Sequence, residues 1–119
     1  MSIRKAIYDL LNDTEADVYP LIAPQEVTDP FVTFSMRLSP ERTQDGIGPT
    51  YADLTLNIYA STHTLCVALA DAMYAGMEGK SGTYGTESLM ICNWESESDE
   101  YIEGLDKILI IQEYNLKFN

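Results

Sequence analysis

The sequence predicts an α+β domain, two helices packed on one face of a mainly antiparallel sheet of four to five strands. Three observations point there. The hydrophobic patterns run helix, strand, strand, helix, strand, strand along the chain. Four of the five prolines fall between Val18 and Gly46, where proline fixes φ and removes an amide donor, so no long helix crosses that span. Two segments, residues 31–38 and 51–60, alternate cleanly between apolar and polar side chains.

Each element follows from its residues. Ile3, Ile7, Leu10 and Leu11 recur at helical spacing within residues 2–12, with Arg4, Lys5 and Asp9 elsewhere on the wheel. Asn12, Asp13 and Thr14 are turn formers that end this helix, and Pro20 and Pro24 break residues 18–27 into extended chain. Val32, Phe34, Met36 and Leu38 then share one strand face against Phe31, Thr33, Ser35 and Arg37. Residues 39–50 hold two prolines and two glycines, too long a span for a tight hairpin, and read as a protruding arm. The next strand turns Leu54, Leu56, Ile58 and Ala60 inward and Tyr51, Asp53, Thr55, Asn57 and Tyr59 outward.

A hydroxyl of Ser61 or Thr62 caps the second helix, whose expected buried stripe is Leu65, Leu69, Ala72, Met73 and Met77. Gly76 and Gly79 weaken its end, and residues 81–86 read as a loop. A short strand is expected at residues 88–94, then an acidic loop over residues 95–106. The final strand, Lys107–Phe118, places Ile108, Ile110, Tyr114, Leu116 and Phe118 on one face, with Leu109 and Ile111 on the other.

Length and composition set the class. The 119 residues fit a single domain, residues 1–119, able to bury roughly two thirds of its unfolded surface. A formal net charge of −12 opposes association with nucleic-acid phosphates or anionic lipid, and no apolar run reaches membrane-spanning length. The chain opens on an amphipathic segment without the pattern of a secretory leader, so a reducing cytosol is expected. Cys66 and Cys92 read as small buried hydrophobes; a disulfide between helix and strand stays open, and no Cys/His spacing suggests zinc.

Little in the sequence points to catalysis. His63 is the only histidine, expected on the surface beside the capping hydroxyls, and it lacks the partners of a catalytic triad. S-G-T-Y-G-T lacks the lysine and helix of a phosphate-binding loop. Glu95, Glu97, Asp99, Glu100, Glu103 and Asp106 are dense enough to consider for a hard cation, but their spacing is not that of an EF-hand, and a solvated loop is the plainer reading. Tyr51, Thr55 and Tyr59, sharing the outward sheet face with Leu109 and Ile111, suggest a subunit contact, because tyrosine is enriched at interfaces.

Taken together, several segments carry a likeness. They are I-R-K-A-I-Y-D-L-L, V-Y-P-L-I-A-P-Q with D-P-F-V-T-F, P-E-R-T-Q-D-G, L-T-L-N-I-Y-A-S-T, A-L-A-D-A-M and D-E-Y-I-E-G-L-D-K-I-L-I-I-Q-E-Y-N-L-K-F. In content and order they resemble the tail-completion family of long-tailed phages and prophages, which spans tail terminators and neck adaptors. The resemblance implies a structural role without catalytic residues or cofactor, at the head-proximal end of a virion tail assembled in the bacterial host cytoplasm. It implies a ring of copies, commonly a hexamer, between a tail tube protein and a head-tail connector protein.

On that reading the sheet and arm pack against a neighbouring copy, with Arg42 offering a charge-assisted contact to a carboxylate. Glu95, Glu97, Asp99, Glu100 and Glu103 would line an acidic lumen that repels passing DNA. A calcium-dependent binding module and a small enzyme of unknown reaction are the alternatives.

Overall fold

The computed structural model describes residues 3–12, 18–20, 30–43, 46–84, 87–105 and 107–118. In chain order these form α1 (Ile3–Asn12), β1 (Val18–Pro20), β2 (Phe31–Thr43), β3 (Gly46–Ala60), α2 (His63–Met77), β4 (Gly82–Tyr84), β5 (Glu87–Ile102), a 3-10 turn (Glu103–Leu105) and β6 (Lys107–Phe118). Antiparallel ladders join five strands in the order β2-β3-β6-β5-β4, and the three-residue β1 adds to β2 in parallel. The α+β class holds.

Strand alternation decides what is buried. Ala52, Leu54, Leu56, Ile58 and Ala60 of β3 and Ile110, Tyr114, Leu116 and Phe118 of β6 are all buried, while Asp53 and Glu113 between them are exposed. One core cluster joins these residues to Ile3, Ala6, Ile7, Leu10 and Leu11 of α1 and to Cys66, Ala70, Met73 and Met77 of α2. α2 packs on β3, β6 and β5, whereas α1 reaches from β2, where Tyr8 meets Phe34 edge-on at 6.1 Å, to β4 at the far side of the sheet. A sheet whose distant strands meet one short helix must curl, and strand twist supplies the curl.

The structure departs from the sequence reading at four places. Residues 39–43 and 46–50, expected in an irregular arm, are strand: β2 and β3 stay paired out to Thr43 and Gly46, with a register shift between Pro40 and Arg42, so the projection is a β-ribbon. The molecule measures 51 Å along its long axis and 24 Å across. Residues 95–102 are not a loop either, because β5 runs through them as the partner of β6. Residues 82–84 form a strand rather than loop.

The stripe of α2 is rotated: Cys66, Ala70, Met73 and Met77 are buried, whereas Leu65 is 46% exposed and Ala72 also faces outward. Its expected cap is present, with Thr62 Oγ1 accepting from the Leu65 amide at 3.2 Å.

Candidate functional site

Two surfaces concentrate unusual side chains, and both are set by register. On the face of the sheet away from α2, cross-strand pairing aligns Phe31, Tyr59, Leu109 and Glu100 in one row. Phe31 stacks on Tyr59 at 4.9 Å, Lys107 Nζ lies 5.9 Å from the Phe31 ring centre, and Phe31 and Leu109 are only 9% and 8% exposed. Tyr59 is thus engaged within its own chain. Tyr51, two rows further along from Thr55 on the same face, is half-buried, with Lys117 Nζ 5.8 Å from its ring centre.

Between the two tyrosines the face turns polar. Arg37, Asp53, Thr55, Glu95 and Glu113 surround a hollow of about 380 Å³. Asn115 Nδ2 donates to Asp53 at 2.9 Å, and Ser96 Oγ donates to Glu113 at 2.9 Å. Tyr51, Thr55 and Tyr59 do share a face, as their spacing predicts. The side chain of Arg42 lies outside the described residues, and so does Asp106.

The acidic residues are parted by a bulge. Trp94 pairs with Tyr114 but Ser96 pairs with Glu113, so Glu95 is the extra residue and the phase of β5 is inverted beyond it. Glu97 and Asp99 therefore stand on the α2 side, and Glu100 on the other. Glu95 edges the polar hollow, and Glu103 is exposed in the 3-10 turn.

Glu97 and Asp99 have specific partners there. Gln112, fully buried, donates from Nε2 to the Ala70 carbonyl at 2.9 Å and to Glu97 Oε1 at 2.7 Å, while its Oε1 accepts from the Tyr114 hydroxyl at 3.0 Å. Burial, with Cys92 and Glu97 nearby, holds the Tyr114 hydroxyl protonated far above its ordinary range. His63 Nε2 lies 3.3 Å from Asp99 Oδ2, both side chains exposed. Among the described residues no group of three or more His, Cys, Asp or Glu side chains could hold a metal ion.

The two cysteines are free and buried. Cys66 Sγ donates to the Ile58 carbonyl at 3.2 Å, and burial raises its pKa. Burial first, then the charge of Glu78, pushes the Cys92 thiol up to about 12. Neither is poised as a nucleophile.

The second surface was not legible in the sequence. Tyr8, Phe34 and Met36 floor a groove of about 510 Å³ between α1 and β2, with Arg4, Lys5 and Asp9 at its rim. Across the sheet, Trp94 is 41% exposed and meets Tyr74 edge-on at 5.8 Å. A lone tryptophan in a polar strand was the one available signal.

No family model matches the sequence, and no curated protein matches it. The fold does have a counterpart among solved structures. A chain in the virion of a native gene transfer agent particle superposes with a TM-score of 0.80 over 98% of this chain and 93% of that one, at 14% identity. Likeness at that identity establishes a shared fold. Among the described residues no helix is long and apolar enough to cross a membrane.

Proposed function

We propose that this chain is a structural component of a phage-like virion, acting at the head-proximal end of the tail, where copies form or complete a ring between tail tube and head connector. The observation that carries the reading is the match over nearly the whole length of both chains to a component of a virion particle. The sequence resemblance to tail-completion proteins supplies the place in the tail and the ring, commonly a hexamer.

The geometry supports assembly over catalysis. Glu97 is bonded to Gln112 and His63 lies beside Asp99, and the thiols are buried and held protonated, so none of these groups is arranged as part of a catalytic set. The projecting ribbon of β2 and β3 adds reach to a small subunit, and the prolines at positions 40 and 49 restrict its backbone before contact. Both helices are taken to cover one face of the sheet, leaving the other for contacts within the particle.

Deletion of residues 41–48 tests the reading, because it shortens the ribbon beyond Pro40 without touching the described core. The variant protein should fold, and particles carrying it should show unjoined heads or tails of irregular length in electron micrographs. Normal head joining and tail length would remove the ribbon from the mechanism, and complete particles in the absence of the whole chain would overturn the reading.

A further inference from the structure

The lane beside β5, on the side away from β6, is only partly filled. β4 occupies it at Glu87, Ser88 and Leu89. The turn after α2 carries on from there, with the Gly79 amide donating to the Cys92 carbonyl at 2.9 Å and Glu78 accepting from the Trp94 amide. From Ser96 to Glu100 β5 pairs with β6 on one side, and among the described residues nothing bonds its backbone on the other. Successive residues of a strand turn their amides and carbonyls to opposite edges, so alternate residues of this stretch hold theirs outward. Such an edge is a template for a further strand.

α2 runs beside the vacant stretch. His63 stands at the level of Asp99, 3.3 Å away, the Ala70 carbonyl comes level with Glu97 through the Gln112 amide they share, and Tyr74 meets Trp94 edge-on. His63, Val67 and Tyr74 recur at helical spacing on this flank, and Val67 is half-buried. An edge strand with a helix flank beside it is a geometry that takes extended peptides: main-chain bonds supply affinity, and alternate side chains of the guest supply specificity.

We propose that the edge of β5 from Ser96 to Glu100 receives an extended segment of a partner protein, bearing lysine or arginine, as an added strand beside α2. The inference stands on the edge itself, and the virion reading above says only where the partner is met, among neighbouring proteins of the particle.

Charge selects the occupant. Glu95, Glu97, Asp99 and Glu100 lie on or next to this stretch, and no lysine or arginine occurs between Met90 and Ile102. Glu97 and Asp99 are engaged with Gln112 and His63, but a carboxylate bonded to a neutral amide keeps its charge. Glu95 and Glu100 are exposed, and no side-chain bond engages either among the described residues. The bulge at Glu95 sets Glu97 and Asp99 on the helix side and Glu100 on the other, so a strand added here meets carboxylates on both of its faces. Edge carboxylates turn away an acidic strand and draw a basic one. A second copy, with a formal charge of −12, is repelled.

The probe is a short peptide alternating lysine and valine, labelled for fluorescence anisotropy. It can set either residue toward α2, so one peptide covers both registers. Affinity should be weaker by about tenfold or more for a peptide alternating glutamate and valine, and for the lysine peptide on a variant carrying Glu95→Lys with Glu100→Lys. Circular dichroism confirms that this variant is folded. Methylating every amide nitrogen of the lysine peptide keeps its charge but removes its donors, and binding should be lost. Amide exchange followed by NMR locates the contact: alternate residues from Ser96 to Glu100 should gain protection when the peptide is added.

Binding that survives methylation, or protection that appears elsewhere in the sheet, would overturn the proposal. Absence of binding would overturn it too and leave the carboxylates as guards of a strand edge. Protection of Ser96 to Glu100 in the chain alone, growing with its concentration, would give the edge to a second copy and equally overturn it. None of these outcomes touches the virion reading, which is tested on particles lacking residues 41–48 or the whole chain.

Discussion

Cys92 and Gln112 show how single buried groups tie this chain to its conditions. Cys92 ordinarily titrates near 9.0, and in the folded chain burial and Glu78 push it up to about 12. Its folded pKa is raised, so the folded state holds the proton more tightly than the unfolded state. That contribution is complete below pH 9 and is lost as pH rises toward 12. Cys66 and Tyr114 are shifted in the same direction and add to the effect. The melting temperature should therefore fall steeply between pH 9 and 11. Cys92→Ala, less stable at neutral pH because of the cavity, should show a shallower fall over that interval; equal slopes would remove Cys92 as the cause. Burial of both cysteines was legible from their positions in apolar patterns. The bonds of Gln112 were not: a polar residue at an inward position of β6 breaks the alternation, and only the structure supplies the Ala70 carbonyl, Glu97 and the Tyr114 hydroxyl that satisfy it.

At the scale of elements, strand stretches with one apolar face show in the sequence pattern, whereas the exposed continuations of β2, β3 and β5 and the whole of β4 do not. β3 and β6 alternate against a core, and β6 was placed residue for residue as Lys107–Phe118. β5 is mostly exposed beyond Cys92 and carries register shifts between Leu89 and Ile91 and between Trp94 and Ser96, which erase a period of two. The helix-side positions of β5 then run Leu89, Cys92, Trp94, Glu97 and Asp99, a spacing no strand pattern would suggest. The residues expected at a subunit contact divide similarly. Tyr51, Thr55 and Tyr59 share a face as their spacing requires, but the stacking of Tyr59 on Phe31 depends on a cross-strand register invisible in sequence. Of the expected stripe of α2, Met73 and Met77 are buried, but Cys66 and Ala70 take the inner positions in place of Leu65 and Ala72, because the helix is apolar nearly all round and its pattern leaves the rotation open. Its true stripe is testable. Met73→Ala should cost about 2–5 kcal/mol in chemical denaturation, the range for deleting a buried methionine. Leu65→Ala, at 46% exposure, should stay within about 0.5 kcal/mol. Similar losses at the two positions would contradict the rotation observed.

At the scale of the whole molecule, charge sets a competition that salt can resolve. Each copy carries a formal charge of −12, so copies repel one another over a range fixed by the Debye length, about 30 Å at 0.01 M salt and about 10 Å at 0.1 M. With a width of 24 Å, neighbouring copies feel that repulsion almost fully in dilute salt and little of it near physiological salt. Attraction between opposite charges brought together at a contact between copies acts across a few ångströms and survives the first increments of salt, then weakens as exposed pairs do near 1 M. Formation of the proposed ring should accordingly rise from 0.01 to about 0.15 M sodium chloride and decline toward 1 M, a maximum that a single electrostatic effect cannot produce. Sedimentation at fixed protein concentration checks it. A monotonic rise would mean that net repulsion alone governs assembly, with the contact between copies apolar. A monotonic fall would mean that local ion pairs outweigh the −12 charge at every ionic strength, and indifference to salt would remove the carboxylates of β5 from the assembly altogether.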